Sequence, residues 1–188
     1  NAALVGEYSL IPENNNIRNL VYMTVGTGIG AGFMINGSLL SGLGHPEVGH
    51  MCIPHDREVD PFPGNCQYHK DCLEGLASGP AIKSRWKTSP ENLPDQYLAW
   101  SLEAEYLAYA LVNIILINTP QRIILGGGVM NRKVLYQLIR EKVKFILNNY
   151  ILLPEINEME NYISPPGLGS GSGVMGALVM AKEIYYNN

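Results

Sequence analysis

The sequence predicts a mixed α/β fold on three observations. An apolar, β-branched run at 18–25 is followed by a second strand-like run at 31–35. A short apolar strand at 122–125 stands between two long helical segments. Glycine runs follow both the first strand and this one. Hairpin, helix, strand and helix in that order make a sheet with helices packed on it.

Along the chain, residues 1–10 suit the end of a helix, and Glu13-Asn14-Asn15-Asn16 reads as a polar turn. The first two strands follow, and Asn36-Gly37 closes the second with a tight-turn pair. Residues 43–65 are rich in Gly, Pro and His and show no helical or strand period. A loop of that length is functional or must be tied down. Short helices are expected at 71–77 and 80–87. A long one is expected at 95–118, where Leu98, Leu102, Leu107, Leu111 and Ile115 recur at helical spacing. After the strand at 122–125, residues 132–147 place Leu135, Leu138, Ile139, Val143 and Ile146 on one face. A last helix runs from Ser172 to about Tyr185. No internal repeat is visible.

The 188 residues carry 13 Lys+Arg and 17 Asp+Glu, a net charge of −4, and 46% are hydrophobic. This suits one large or two small globular domains and gives no basic patch for nucleic acid or anionic membrane. The longest apolar stretch, 107–117, is broken by Asn113 and is short of the roughly 20 residues a bilayer needs. Asn1-Ala2-Ala3-Leu4 has no basic start or cleavage site, and three unevenly spaced cysteines make no disulfide framework. The expected compartment is a reducing cytoplasm. The helix-like opening without Met suggests a piece of a longer protein.

Three constellations carry chemistry. Thr24-Val25-Gly26-Thr27-Gly28-Ile29-Gly30-Ala31-Gly32 sets glycine at every second position, beside two threonine hydroxyls. Backbone amides so exposed suit phosphate oxygens. The run lacks the Gly-Lys-Ser/Thr of a Walker loop and leads into a strand rather than a helix. A phosphate-binding hairpin fits, as does a hairpin packed closely on another element.

The second is Cys66-Gln67-Tyr68-His69-Lys70-Asp71-Cys72, with His50 upstream across the proline-rich loop. Two thiolates and two imidazoles suit a closed, structural tetrahedral Zn2+ that pins a loop too poor in apolar residues to pack by itself. His45 and His55 compete with His50 as the fourth ligand. Cys52 reads as a small buried residue rather than a ligand.

The third is the carboxylate pair Glu47 and Glu74, each a few residues from a proposed ligand. With the free edge of His50 they would face one cleft and accept hydroxyls, or they are solvated surface glutamates.

Taken in order, these segments resemble the ROK family of sugar kinases, in its fructokinase branch. The matching stretches are Asn1-Ala2-Ala3 with Glu7, Thr24 to Gly30, and His45-Pro46-Glu47-Val48-Gly49-His50. They continue with Cys66 to Glu74, Ile124-Leu125-Gly126-Gly127-Gly128-Val129, and Pro166-Gly167-Leu168-Gly169 with Gly176-Ala177-Leu178. The resemblance spans essentially the whole chain. It implies the C-terminal lobe of an actin-like (ribonuclease H-like) ATPase fold, with a zinc-stabilised loop at 45–75. Its last helix, 172–186, would pack towards the missing first lobe and leave apolar surface open here.

By the same resemblance, His50, Cys66, His69 and Cys72 hold zinc, and Glu47, His50 and Glu74 hold sugar hydroxyls. Thr24, Gly26, Thr27, Gly28 and Gly30 meet ATP phosphates, and Gly126, Gly127, Gly128 and Val129 lie against the nucleoside. ATP acts with Mg2+, and family members are dimers. The implied reaction is ATP-dependent hexose phosphorylation, with fructose giving fructose 6-phosphate. The general base is expected just before Asn1, so the chain carries no catalytic residue and is inactive alone. Ser170 stands where relatives often carry Asp. The competing reading is a ROK-type sugar-responsive transcriptional regulator, which binds nucleic acid through a further N-terminal domain; the glycine hairpin favours the kinase.

Overall fold

β1 (Leu20–Val25) is the middle strand of a five-stranded sheet, in a computed structural model that describes residues 1–12, 15–95 and 97–187. Leu20, Val21, Met23 and Val25 are all buried, so apolar residues on both faces of the strand are covered. β2 (Ile29–Ile35) pairs with β1 antiparallel, with Val25 opposite Ile29. It begins two residues before the expected strand, so Gly30 and Gly32 lie in the ladder and only Gly26-Thr27-Gly28 forms the turn. Asn36 and Gly37 both have positive φ, 54° and 81°. That is the backbone a tight hairpin needs, and it leads into β3 (Ser38–Leu39).

On the other side of β1, β4 (Arg122–Gly126) runs parallel to it, and β5 (Ile163–Ser164) runs parallel to β4. The order is β3-β2-β1-β4-β5. β5 escapes a sequence reading because two residues carry no period.

The helices are α1 (Ala2–Tyr8), α2 (Leu73–Ala77), α3 (Gly79–Trp86), α4 (Leu98–Asn118) and α5 (Val134–Leu147), then the short α6 (Pro154–Asn157) and α7 (Met159–Tyr162), and α8 (Ser172–Asn187). α4 starts three residues later than expected, and the expected turn at 13–16 lies partly outside the described residues, at Glu13 and Asn14. Among the described residues α4 is the one helix long and apolar enough to cross a membrane, with mean hydropathy 1.3, but 61% of its apolar window is buried inside the fold. The 107–117 stretch understates it, because Trp100, Ala104 and Tyr106 are buried too. α5 packs on α4 through the expected face, with Leu135, Ile139 and Val143 fully buried.

α1 and α8 form a separate tight pair. A Cβ at Gly176 would lie 1.6 Å from the Ala2 carbonyl oxygen, so the helices approach as only glycine permits. The buried Glu7 carboxylate fixes the same corner. It accepts the amides of Gly167 at 2.8 Å and Leu168 at 3.0 Å and the Ser172 hydroxyl at 2.6 Å. The outward side of α8 leaves Val174, Met175 and Leu178 exposed.

Candidate functional site

His50, Cys66, His69 and Cys72 converge, with one ligand atom from each within 4.8 Å of all the others. His50 ends a single 3-10 turn at 48–50, and Cys72 caps α2. Between them Cys66 and Lys70 pair across a tight turn, for which Lys70 takes a positive φ of 60°. His50 Nδ1 stands 3.7 Å from Cys66 Sγ and 3.6 Å from Cys72 Sγ, and His69 Nδ1 stands 3.9 Å from Cys66 Sγ. A tetrahedron with Zn–S near 2.3 Å and Zn–N near 2.05 Å has S···N edges of about 3.6 Å. The donor set and its spacing therefore fit zinc. His50 presents Nδ1 to the cluster, which leaves the Nε2 edge for another partner.

The thiols differ. Burial raises the Cys66 pKa, but amide hydrogen bonds from His69 and Tyr68 and contacts with Cys72 and His69 outweigh it, leaving the group lowered to about 6. Burial, with the neighbouring Cys66, pushes Cys72 up to about 11.

The two competing histidines are placed elsewhere. His45 Nδ1 meets the Asn1 side-chain amide at 3.4 Å. His55 is buried between the Asp60 carbonyl, at 2.9 Å from Nε2, and the Asp71 carboxylate, at 3.2 Å from Nδ1. Cys52 is exposed, not buried as its residue type suggested.

The loop is also better anchored than its composition suggests. Asp60, buried to 4% exposure, accepts Arg85 Nε at 3.1 Å and the Tyr106 hydroxyl at 2.6 Å. Arg85 further donates to the Leu76 carbonyl at 2.9 Å and stacks over Phe62. Ile53 enters the main core. Sequence reasoning missed this anchor because a lone aspartate in a loop looks solvated. Beneath it Glu103 is fully buried. Desolvation holds its pKa well above the usual range, partly offset by Arg85.

Glu74 Oε2 accepts the Ile29 amide at 2.9 Å, which ties the segment after Cys72 to the first residue of β2. The Gly79 amide, at the start of α3, donates to the Gly26 carbonyl at 2.7 Å. The glycine hairpin is thus held from below by α2 and α3. Next to it, Gly127 has φ +98°, and a Cβ there would lie 2.3 Å from the Val25 carbonyl oxygen, so the turn after β4 lies against the end of β1.

The ends of β1 and β2 beside the hairpin, with the turn after β4, line part of a cleft of about 1170 Å³. Thr24, Gly30, Gly126, Gly127 and Gly128 face it, and so does Glu47 with Asn1. At its far end Tyr136 donates its hydroxyl to the Leu125 carbonyl at 2.6 Å, and burial raises that phenol to about 12. Of the other expected site residues, Gly26, Thr27, Gly28, His50 and Glu74 sit beside the cleft's lining rather than in it. The Val129 side chain is buried in the core, 3.8 Å from where a Gly79 Cβ would be.

A family model described as ROK family matches residues 1–184. The chain belongs to the ROK family. A Bacillus subtilis (strain 168) relative with a provisional fructokinase name is 46% identical over 184 residues, covering 97% of this chain and 61% of its own. The fructokinase of Pediococcus pentosaceus is 40% identical over 187 residues, covering 100% and 63%. The chain thus spans about three-fifths of these relatives' length. A ROK family glucokinase from Streptomyces griseus, solved in complex with glucose and AMPPNP, superposes with a TM-score of 0.72 at 23% identity, covering 97% of this chain and 66% of that one. The fold is the actin-like ATPase type of these ROK proteins.

Proposed function

We propose that the whole protein is an ATP-dependent hexose kinase whose substrate is fructose, giving fructose 6-phosphate. The observation that carries this reading is one cleft lined by Glu47 together with Thr24, Gly30 and Gly126–Gly128. A carboxylate accepts from hydroxyls, and glycine amides donate to phosphate oxygens. Relatives named fructokinase and a relative holding glucose with AMPPNP support the two ligand classes.

In this reading Glu47, the open edge of His50 and Glu74 orient the sugar, and the two glycine turns cradle the triphosphate. Mg2+ with the nucleotide supplies charge neutralisation at the transferred phosphoryl group. Asn1 lies at the cleft, and the resemblance places the general base just before this residue. Such a base would take the proton of the attacking hydroxyl. Zinc held by His50, Cys66, His69 and Cys72 fixes the loop that carries Glu47. The protein works in the cytoplasm as a homodimer.

The test is a coupled ATP assay of the full-length protein across hexoses, with and without a chelator. Fructose should be the best substrate, with kcat/KM lowered after metal removal. Sugar binding without turnover would point instead to a sugar-responsive regulator.

A further inference from the structure

Cys52 is the one cysteine outside the ligand cluster, and its position is specific. It pairs with Cys72 in an isolated antiparallel bridge. The Leu73 amide donates to the Met51 carbonyl at 3.0 Å, which makes Cys52 and Cys72 a directly opposed, non-hydrogen-bonded pair. In such a pair the Cα atoms stand about 4.5 Å apart with side chains on one face, inside the range a disulfide spans. Cys52 is exposed, whereas Cys66 and Cys72 are buried in the cluster.

We propose that Cys52 and Cys72 form a peroxide-sensitive disulfide couple that dismantles the metal cluster. This rests on the zinc reading above. Hydrogen peroxide transfers one oxygen to the exposed Cys52 thiol, giving a sulfenic acid and one water. Cys72 Sγ, which would no longer serve as a metal ligand, then attacks the Cys52 sulfur. The S–S bond forms, the S–O bond breaks, and the departing hydroxide takes a proton to become a second water. Both sulfurs are oxidised by one electron each, and the peroxide is reduced. His50, Cys66 and His69 remain as three ligands, too few for a closed structural site. Cys72 also caps the helix that presents Glu74, so the link would disturb the sugar side and the Glu74–Ile29 tie together. Thiol reductant and zinc would restore both.

Trypsin cuts after Arg57 and Lys70, which puts Cys52, Cys66 and Cys72 on three different peptides. The experiment starts from purified protein whose zinc content is measured first, then adds hydrogen peroxide and follows metal release and cross-linked peptides. The expected result is a Cys52–Cys72 peptide that grows in step with loss of roughly one zinc per chain and disappears with dithiothreitol. Cys52→Ser should lose zinc at least about tenfold more slowly. A dominant Cys66–Cys72 link, or equal zinc loss in Cys52→Ser, would overturn the proposal. Protein that holds no zinc at the start would refute the metal reading instead. In that case the Cys52–Cys72 link still reports on the pairing.

Discussion

The Glu74 carboxylate accepts the Ile29 amide at 2.9 Å, across 45 residues of sequence. One end of this contact is two residues from a cysteine of the cluster, and the other is the first residue after the glycine turn. It couples the loop proposed to hold zinc to the hairpin proposed to hold phosphate. The geometry of the sugar side and that of the nucleotide side are therefore not independent.

Substitution should separate the two duties of Glu74. Glu74→Ala removes the acceptor and should cost about 1 kcal/mol of stability, with faster amide exchange at Ile29. Glu74→Gln keeps a carbonyl for that amide and should restore most of the protection. Sugar affinity measured by calorimetry on the full-length protein should fall in both, since the charge is lost in both. Unchanged affinity in Glu74→Gln would confine Glu74 to a structural role.

Metal removal should loosen the loop unevenly. Cys66 to Cys72 carry three of the four proposed ligands, whereas Ile53 to Phe62 are held by Asp60, Arg85 and Tyr106 and by the core. Hydrogen exchange after chelation should therefore rise at 66–72 and change little at 53–62. Uniform loosening from 45 to 75 would mean that the ionic anchor does not stand without metal.

Breaking that anchor should be costly. Asp60 and Arg85 are 4% and 6% exposed at the side chain, and their carboxylate and guanidinium lie 3.1 Å apart. Asp60→Ala leaves a buried guanidinium unpaired and should destabilise by about 3 kcal/mol in urea denaturation. Paired replacement of Asp60 and Arg85 by apolar residues should cost less than Asp60→Ala alone.

Glu103 should make stability depend on pH. Burial holds its native pKa well above the ordinary 4.5, so between these values the folded chain binds more protons than the unfolded one. The stability this contributes is full below about pH 4.5 and is lost as pH rises through the raised native value. Glu103→Gln cannot ionise. Its urea midpoint should rise relative to the parent's as pH is taken from 5 to 8. A constant difference would show that Glu103 ionises freely in the fold.

The cluster was legible in the sequence because three of its ligands lie within seven residues and thiolate and imidazole share one use. The hairpin was legible for a similar local reason: glycine alternation and Asn36-Gly37 act on their own neighbours. Contacts that join distant segments were not. Asp60 meets its partners 25 and 46 residues away, and nothing around it in sequence distinguishes it from a solvated acid. Glu7 shows the same limit, since the amides it accepts lie 160 and 161 residues further on. The Val129 side chain lies in the core just beyond the glycines. The motif continues past the glycines, but the chain turns inward there, and an apolar side chain follows it into the core.

The most direct measurement is zinc K-edge absorption on purified full-length protein with the metal content determined on the same sample. One zinc per chain is expected, with two sulfurs at about 2.3 Å and two nitrogens at about 2.0 Å. Absence of zinc, or a shell dominated by oxygen, would rule out the Cys2His2 zinc site.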